Sequence, residues 1–182
     1  KKPLRFFGMI GVSLFALGYG RHEAEPLRVL PFYPLFLAAI NLVLMAADAF
    51  VFLFGWELMS LASWLLVLAS HRETETPRAA FLYFVMAMAG TFALLLAFGL
   101  LAGGAGDYRF AALRGQALPP ALGLGVAVLA LLGAGSKAGI VPLHAWLPLA
   151  HPAAPSHASA LLSGVMTKVA IYGFARLTFD LA

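Results

Sequence analysis

Residues 30–70 form one long apolar stretch interrupted by Asn41, Asp48 and Glu57. As a single straight helix it would measure roughly 60 Å, about twice the hydrocarbon thickness of a bilayer. The stretch therefore has to turn, and Ala47-Asp48-Ala49 is the polar point that divides it into two membrane spans. Asp48 becomes a turn residue at the surface. Glu57 then lies roughly 13 Å into the second span, near the bilayer midplane.

The remaining residues agree with a membrane environment. Hydrophobic residues make up 62% of the chain and charged ones 11%, against about 25% charged in an ordinary soluble domain. The net charge of +4 comes from basic residues scattered singly among loops, which argues against a nucleic-acid partner. Cysteine is absent, so disulfides, thiol chemistry and Cys-ligated iron–sulfur clusters are excluded within this segment. No cofactor and no metal is expected here. The chain opens on Lys1-Lys2-Pro3, and the apolar run that follows lacks the small-residue cleavage site of a signal peptide. It reads as a fragment of a longer polypeptide. Lys and Arg are spread almost evenly over alternate loops, so the positive-inside rule does not orient it.

Residues 6–20 are apolar but short, the expected remnant of a preceding span, and 21–28 form a polar loop. The run HRETETPR at 71–78 is a second loop, 79–102 a span without charge, and 103–120 a loop punctuated by Gly and Pro. Residues 121–139 are apolar up to Lys137, after which Pro142, Pro148, Pro152 and Pro155 follow closely. Proline removes helix hydrogen bonds and clashes with the preceding turn, so the helix is expected to break after Gly139. Irregular backbone at membrane depth is tolerated where it is buried in protein or faces a cavity. A last span covers 156–180, opening on Ser156 as a cap and placing Lys168 roughly 18 Å deep. The expected fold is all-α: a polytopic transmembrane helix bundle of about six spans, the first incomplete and one a Pro-broken discontinuous helix.

Glu57, Lys137 and Lys168 are the informative residues. One charge at the bilayer centre costs roughly 2.5–3.5 kcal/mol on insertion scales, and intramembrane acids and amines are functional candidates by default. A buried amine or carboxyl holds its charge less readily than in water, and pairing restores it. A lysine that alternates between a glutamate partner and none therefore changes its proton affinity. This arrangement points to ion or proton movement. The structural alternatives are a buried carboxylate that fixes packing at Glu57 and amines that snorkel at Lys137 and Lys168. His144, His151 and His157 flank the broken segment and are weaker relay candidates, since imidazole titrates near neutral pH yet also serves structural hydrogen bonds. Gly135 and Gly139 carry the four-residue spacing that lets helices pack closely. The run Gly133-Ala134-Gly135-Ser136-Lys137 is not a phosphate loop, and His22-Glu23-Ala24-Glu25 lacks the second His of a zinc helix. No nucleophile–base pair marks an autonomous enzyme.

Phe54-Gly55-Trp56-Glu57-Leu58-Met59-Ser60-Leu61, the run from Ser136 through Lys137, Pro142, His144 and Trp146 to Pro148, and Ser159 to Lys168 together resemble the antiporter-like proton-conducting membrane subunits. These belong to respiratory complex I, group 4 membrane-bound hydrogenases and multi-subunit sodium/proton antiporters. The Trp-Glu-Leu-Met-Ser wording and the Ala-His-Pro-x-Ala-Pro-Ser link resemble the branch of hydrogenase-4 component B and formate hydrogenlyase most. Leu149 stands where the complex I branches typically carry an acid.

The resemblance implies two inverted five-helix repeats, each with a broken helix. Residues 29–182 would be the first repeat, and 1–28 the remnant of a preceding span and loop. It implies a charge pair of Glu57 with Lys137, proton exchange between Lys137 and Lys168 along a hydrated axis, and assistance from His144. It also implies a prokaryotic cytoplasmic (inner) membrane protein, with other membrane subunits and redox subunits bearing iron–sulfur or nickel–iron centres as partners. The chain itself would be a non-catalytic pumping subunit of an NADH dehydrogenase- or hydrogenase-type oxidoreductase. A secondary sodium/proton antiporter subunit and a non-conducting structural scaffold are the alternatives.

Overall fold

The computed structural model describes residues 29, 31–68, 76–114, 116, 118–153 and 156–182. The expected short span at 6–20 and the loop at 21–28 lie outside the described residues. Helix α1 (Phe32–Met45) and helix α2 (Ala49–Leu68) divide the long apolar stretch where Asp48 predicts. Ala46 leaves helical geometry, and the Asp48 carboxylate caps α2 by accepting the Val51 N–H at 2.8 Å. Such a cap satisfies one of the amides that a helix start leaves orphaned.

Helix α3 (Thr76–Ala102) begins inside the expected 71–78 loop. Pro77 lies in its first turn, where the missing N–H costs nothing and φ is already helical. Helix α4 (Phe110–Leu113) is a single turn in the following loop, and helix α5 (Pro120–Ala138) is the next span. Helix α6 (Leu147–Ala153) and helix α7 (Ser156–Leu161) follow the break. The last span is not one regular helix. A π-helical stretch at Leu162–Met166 precedes helix α8 (Thr167–Arg176), and a second follows at Leu177–Leu181.

Among the described residues four segments are long and apolar enough to cross a membrane: Ala49–Leu68, Pro77–Ala102, Pro120–Ala138 and Ala158–Leu181. The shorter α1 packs along α2, α3 packs against α2 and α5, and α8 against α5. Phe36, Ile40, Phe52, Trp56, Met59, Leu94 and Phe98 fill the space between them. Phe50, Phe54, Phe81, Phe92 and Phe179 face outward, an apolar exterior suited to lipid chains.

One close helix crossing involves Gly133 of α5. A Cβ there would meet Leu94 Cγ at 2.6 Å and the Gly90 carbonyl at 2.7 Å. This corrects the expectation that Gly135 and Gly139 are the packing pair. Gly139 is instead the residue that ends α5: its φ of +73° is left-handed, a conformation that favours glycine at the residue after a helix.

Loops at the Asp48 face are tied to one another. The Phe110 N–H donates to the Ala47 carbonyl at 2.9 Å and the Ala49 N–H to the Tyr108 carbonyl at 3.0 Å. Arg114 pairs with Asp180 at 2.8 Å, joining this loop to the end of the last span. Arg109 pairs with Asp107 at 2.7 Å.

Candidate functional site

Lys137 lies in the last turn of α5, one residue before the helix ends. Cations are favoured there because the last carbonyls carry the negative end of the helix dipole. Its side chain is 3% exposed, and it is the one buried charged residue among those described. The break after Gly139 matches the proline pattern, and the chain then runs through turns at 141–146 into α6. Trp146 folds back over the break: its indole N–H donates to the Ser136 carbonyl at 2.7 Å. The Ser136 hydroxyl in turn donates to the Met86 carbonyl of α3 at 3.0 Å. These two bonds anchor Ser136, the residue just before Lys137, to α3 and to the segment beyond the break.

The Lys137 ammonium donates to the Ser60 hydroxyl of α2. It sits over the Trp56 ring at 5.5 Å and over the Tyr83 ring at 5.8 Å, distances at which ring quadrupoles attract a cation. Ser60 donates its own proton to the Trp56 carbonyl at 2.8 Å. Tyr83 is fixed by the Ser63 hydroxyl at 2.6 Å, by Met166 at 3.6 Å and by an edge contact with Trp146 at 4.9 Å. Three helices, α2, α3 and α5, thus converge on one amine.

Glu57 precedes Ser60 by three residues on α2, so the two side chains start from the same helix face. Its Oε1 is buried and has no hydrogen-bond partner, and among the described residues no ion pair joins Glu57 to Lys137. The structure therefore brings these two predicted residues to one site without direct contact.

The other predicted residues are placed elsewhere. Lys168 is exposed, and its Nζ reaches the Ser163 carbonyl at 3.4 Å. The side of α8 that carries Gly173 faces the Trp56 and Phe52 rings, which a Cβ there would meet at 3.1 and 3.2 Å, while α8 as a whole packs mainly against α5. His144 is exposed in the turns at 141–146. His151 falls in α6 and His157 in α7, and their side chains lie outside the described residues. Among the described residues no cluster of three or more His, Asp or Glu side chains could hold a metal.

Ser60, Tyr83 and Trp146 belong to the site but were not singled out from the sequence. Ser60 carried a signal, since positions three apart share a helix face. Tyr83 sits in a span read as lacking charge, and nothing in its spacing points to Lys137.

Residues 46–182 match the family described as NADH:quinone oxidoreductase/Mrp antiporter, transmembrane. The chain is 44% identical to hydrogenase-4 component B of Escherichia coli over 171 residues, covering 93% of this chain and 25% of that relative. It is 33% identical to formate hydrogenlyase subunit 3 of Escherichia coli over 169 residues, covering 92% of this chain and 26% of the relative. A subunit in the solved structure of the Mrp complex from Dietzia sp. superposes with a TM-score of 0.77 at 31% identity, covering 93% of this chain and 32% of that one. The chain thus spans about a quarter to a third of the length of these proteins.

Proposed function

The chain belongs to the NADH:quinone oxidoreductase/Mrp antiporter transmembrane family, and we propose that it is the first five-helix repeat, residues 29–182, of a proton-translocating subunit in a redox-driven membrane complex. Residues 1–28 belong to the element before it. The observation that carries this reading is the buried Lys137 at the break of α5, hydrogen-bonded to Ser60 one helical turn from Glu57 on another helix.

An ammonium in a low-dielectric interior is held by the groups that face it, and each unit of proton affinity corresponds to about 1.4 kcal/mol. Moving Lys137 relative to Glu57 by a few ångströms is therefore enough to load or release a proton. Electron transfer in partner subunits, which carry the iron–sulfur or nickel–iron centres, supplies the energy for that movement. This chain supplies no electrons. Lys168 accepts the proton at the edge of the repeat, with His144 as an intermediate and His151 and His157 as further relay groups. Its outward position suits transfer to the part of the protein beyond this chain. The complex resides in the cytoplasmic membrane and is of the hydrogenase-4 or NADH:quinone oxidoreductase type, in keeping with the bacterial relatives.

The test is proton uptake per electron in inverted vesicles carrying the full parent complex, at matched electron-transfer rate. Lys137→Met assembles and lowers uptake if the reading holds. Unchanged uptake overturns it. A second reading, a subunit of a sodium/proton antiporter, is favoured by the superposition on the Mrp complex subunit at a TM-score of 0.77. Sodium-driven proton movement without an electron donor distinguishes it.

A further inference from the structure

Lys137 has two possible partners on one face of α2. Glu57 and Ser60 are three residues apart, so their side chains start about 5–6 Å from each other. The four-carbon lysine stem is flexible enough to carry the ammonium across that gap. In this structure the amine is at Ser60, and the buried Glu57 Oε1 is unengaged.

The surroundings of Ser60 are built for an ammonium. Its single hydroxyl proton goes to the Trp56 carbonyl at 2.8 Å, so the oxygen presents acceptor lone pairs to Nζ. An ammonium has donors only, which matches. The Trp56 and Tyr83 rings, at 5.5 and 5.8 Å, supply cation attraction without a countercharge. Neither ring is free to drift: Trp56 is buried against Gly173 and stacked on Phe52, and Tyr83 is tied to Ser63 and Trp146. A hydroxyl and two rings hold a cation more weakly than a carboxylate at hydrogen-bond distance, and so let it leave again.

We infer that Ser60, with the Trp56 and Tyr83 rings, is a second resting station for the Lys137 ammonium, occupied when the amine is away from Glu57. Ser60 is then a positioning residue for proton transfer. The inference rests on the proton-translocating reading of Glu57 and Lys137, and it specifies where the amine goes when that pair is open.

The experiment compares Ser60→Ala, Ser60→Thr and Lys137→Met in the full parent complex, reading uptake per electron in inverted vesicles and the amount of assembled complex. Ser60→Ala is expected to assemble as the wild type and to lose about tenfold or more in uptake, the scale of one hydrogen bond to a charged group. Ser60→Thr, which keeps the hydroxyl, restores it. Wild-type uptake in Ser60→Ala alongside lost uptake in Lys137→Met overturns the station and leaves the lysine's role standing. Wild-type uptake in Lys137→Met overturns both. Equal assembly loss in Ser60→Ala and Ser60→Thr marks a packing position and also overturns the station.

Discussion

The Lys137 ammonium hydrogen-bonds Ser60, one helical turn beyond Glu57 on α2. The acid and the amine share a site, yet a neutral hydroxyl is the direct partner. Removing one member of this arrangement separates its energetic role from its transport role.

Lys137→Met exchanges a buried ammonium for an apolar side chain of similar length. Removing one charge from beside a buried group of opposite charge costs about 3–5 kcal/mol, because the other charge is left uncompensated. The purified complex is therefore expected to melt below the wild-type temperature, while still assembling, and to lose uptake per electron. An unchanged or higher melting temperature by calorimetry refutes the expectation.

Trp146→Phe keeps an aromatic ring against Tyr83 but removes the donor to the Ser136 carbonyl. An unsatisfied buried acceptor costs about 1–3 kcal/mol. The segment around the α5 break should exchange its amide hydrogens faster, as hydrogen–deuterium exchange mass spectrometry can read. Unchanged exchange there means the bond does not hold the break.

Gly133→Ala places a methyl where the backbone of α3 already stands, with Gly90 O at 2.7 Å. Overpacking of this kind costs about 1–3 kcal/mol. Gly99→Ala is the control, since nothing lies within 4 Å of its Cβ position, and the better helix propensity favours it by about 1 kcal/mol. Yields of assembled complex should fall for the first and hold for the second.

Asp107 lies outside the spans, and hydrogen bonds from Arg109 hold its carboxyl at about 2, below its ordinary 3.8. A depressed carboxylate contributes stability that is fully present above the unfolded value and lost as pH falls through the folded one. The Asp107–Arg109 pair is therefore expected to persist from neutral pH down to about pH 3 and to open near pH 2. A carboxyl carbon-13 titration of Asp107 checks this, and a midpoint near 3.8 would contradict the pairing.

Local chemistry made much of the architecture legible. Asp48 in a stretch too long for one span marks a turn, and it is there, capping α2. The prolines after Gly139 predict a broken helix, and α5 ends at Ala138. The last span lies where it was expected, but its π-helical stretches at Leu162–Met166 and Leu177–Leu181 were not foreseen, because they leave no mark in hydrophobic periodicity. The close approach of Gly90 and Gly133 was missed for a related reason. Spacing within one helix does not say which neighbour it meets.

From its sequence alone this chain was bound to a membrane as a helical bundle, with Lys137 at a helix break and Glu57 deep in a span, because lipid satisfies no backbone polar group and penalises unpaired charge. The partners of Lys137 were decided only in three dimensions. Tyr83, Ser60 and Trp146 come from separate segments, and which side of each helix faces inward follows from packing at Gly133, Gly55 and Gly173. The same packing turns Lys168 outward, because the side of α8 that carries Gly173 is taken up by Trp56.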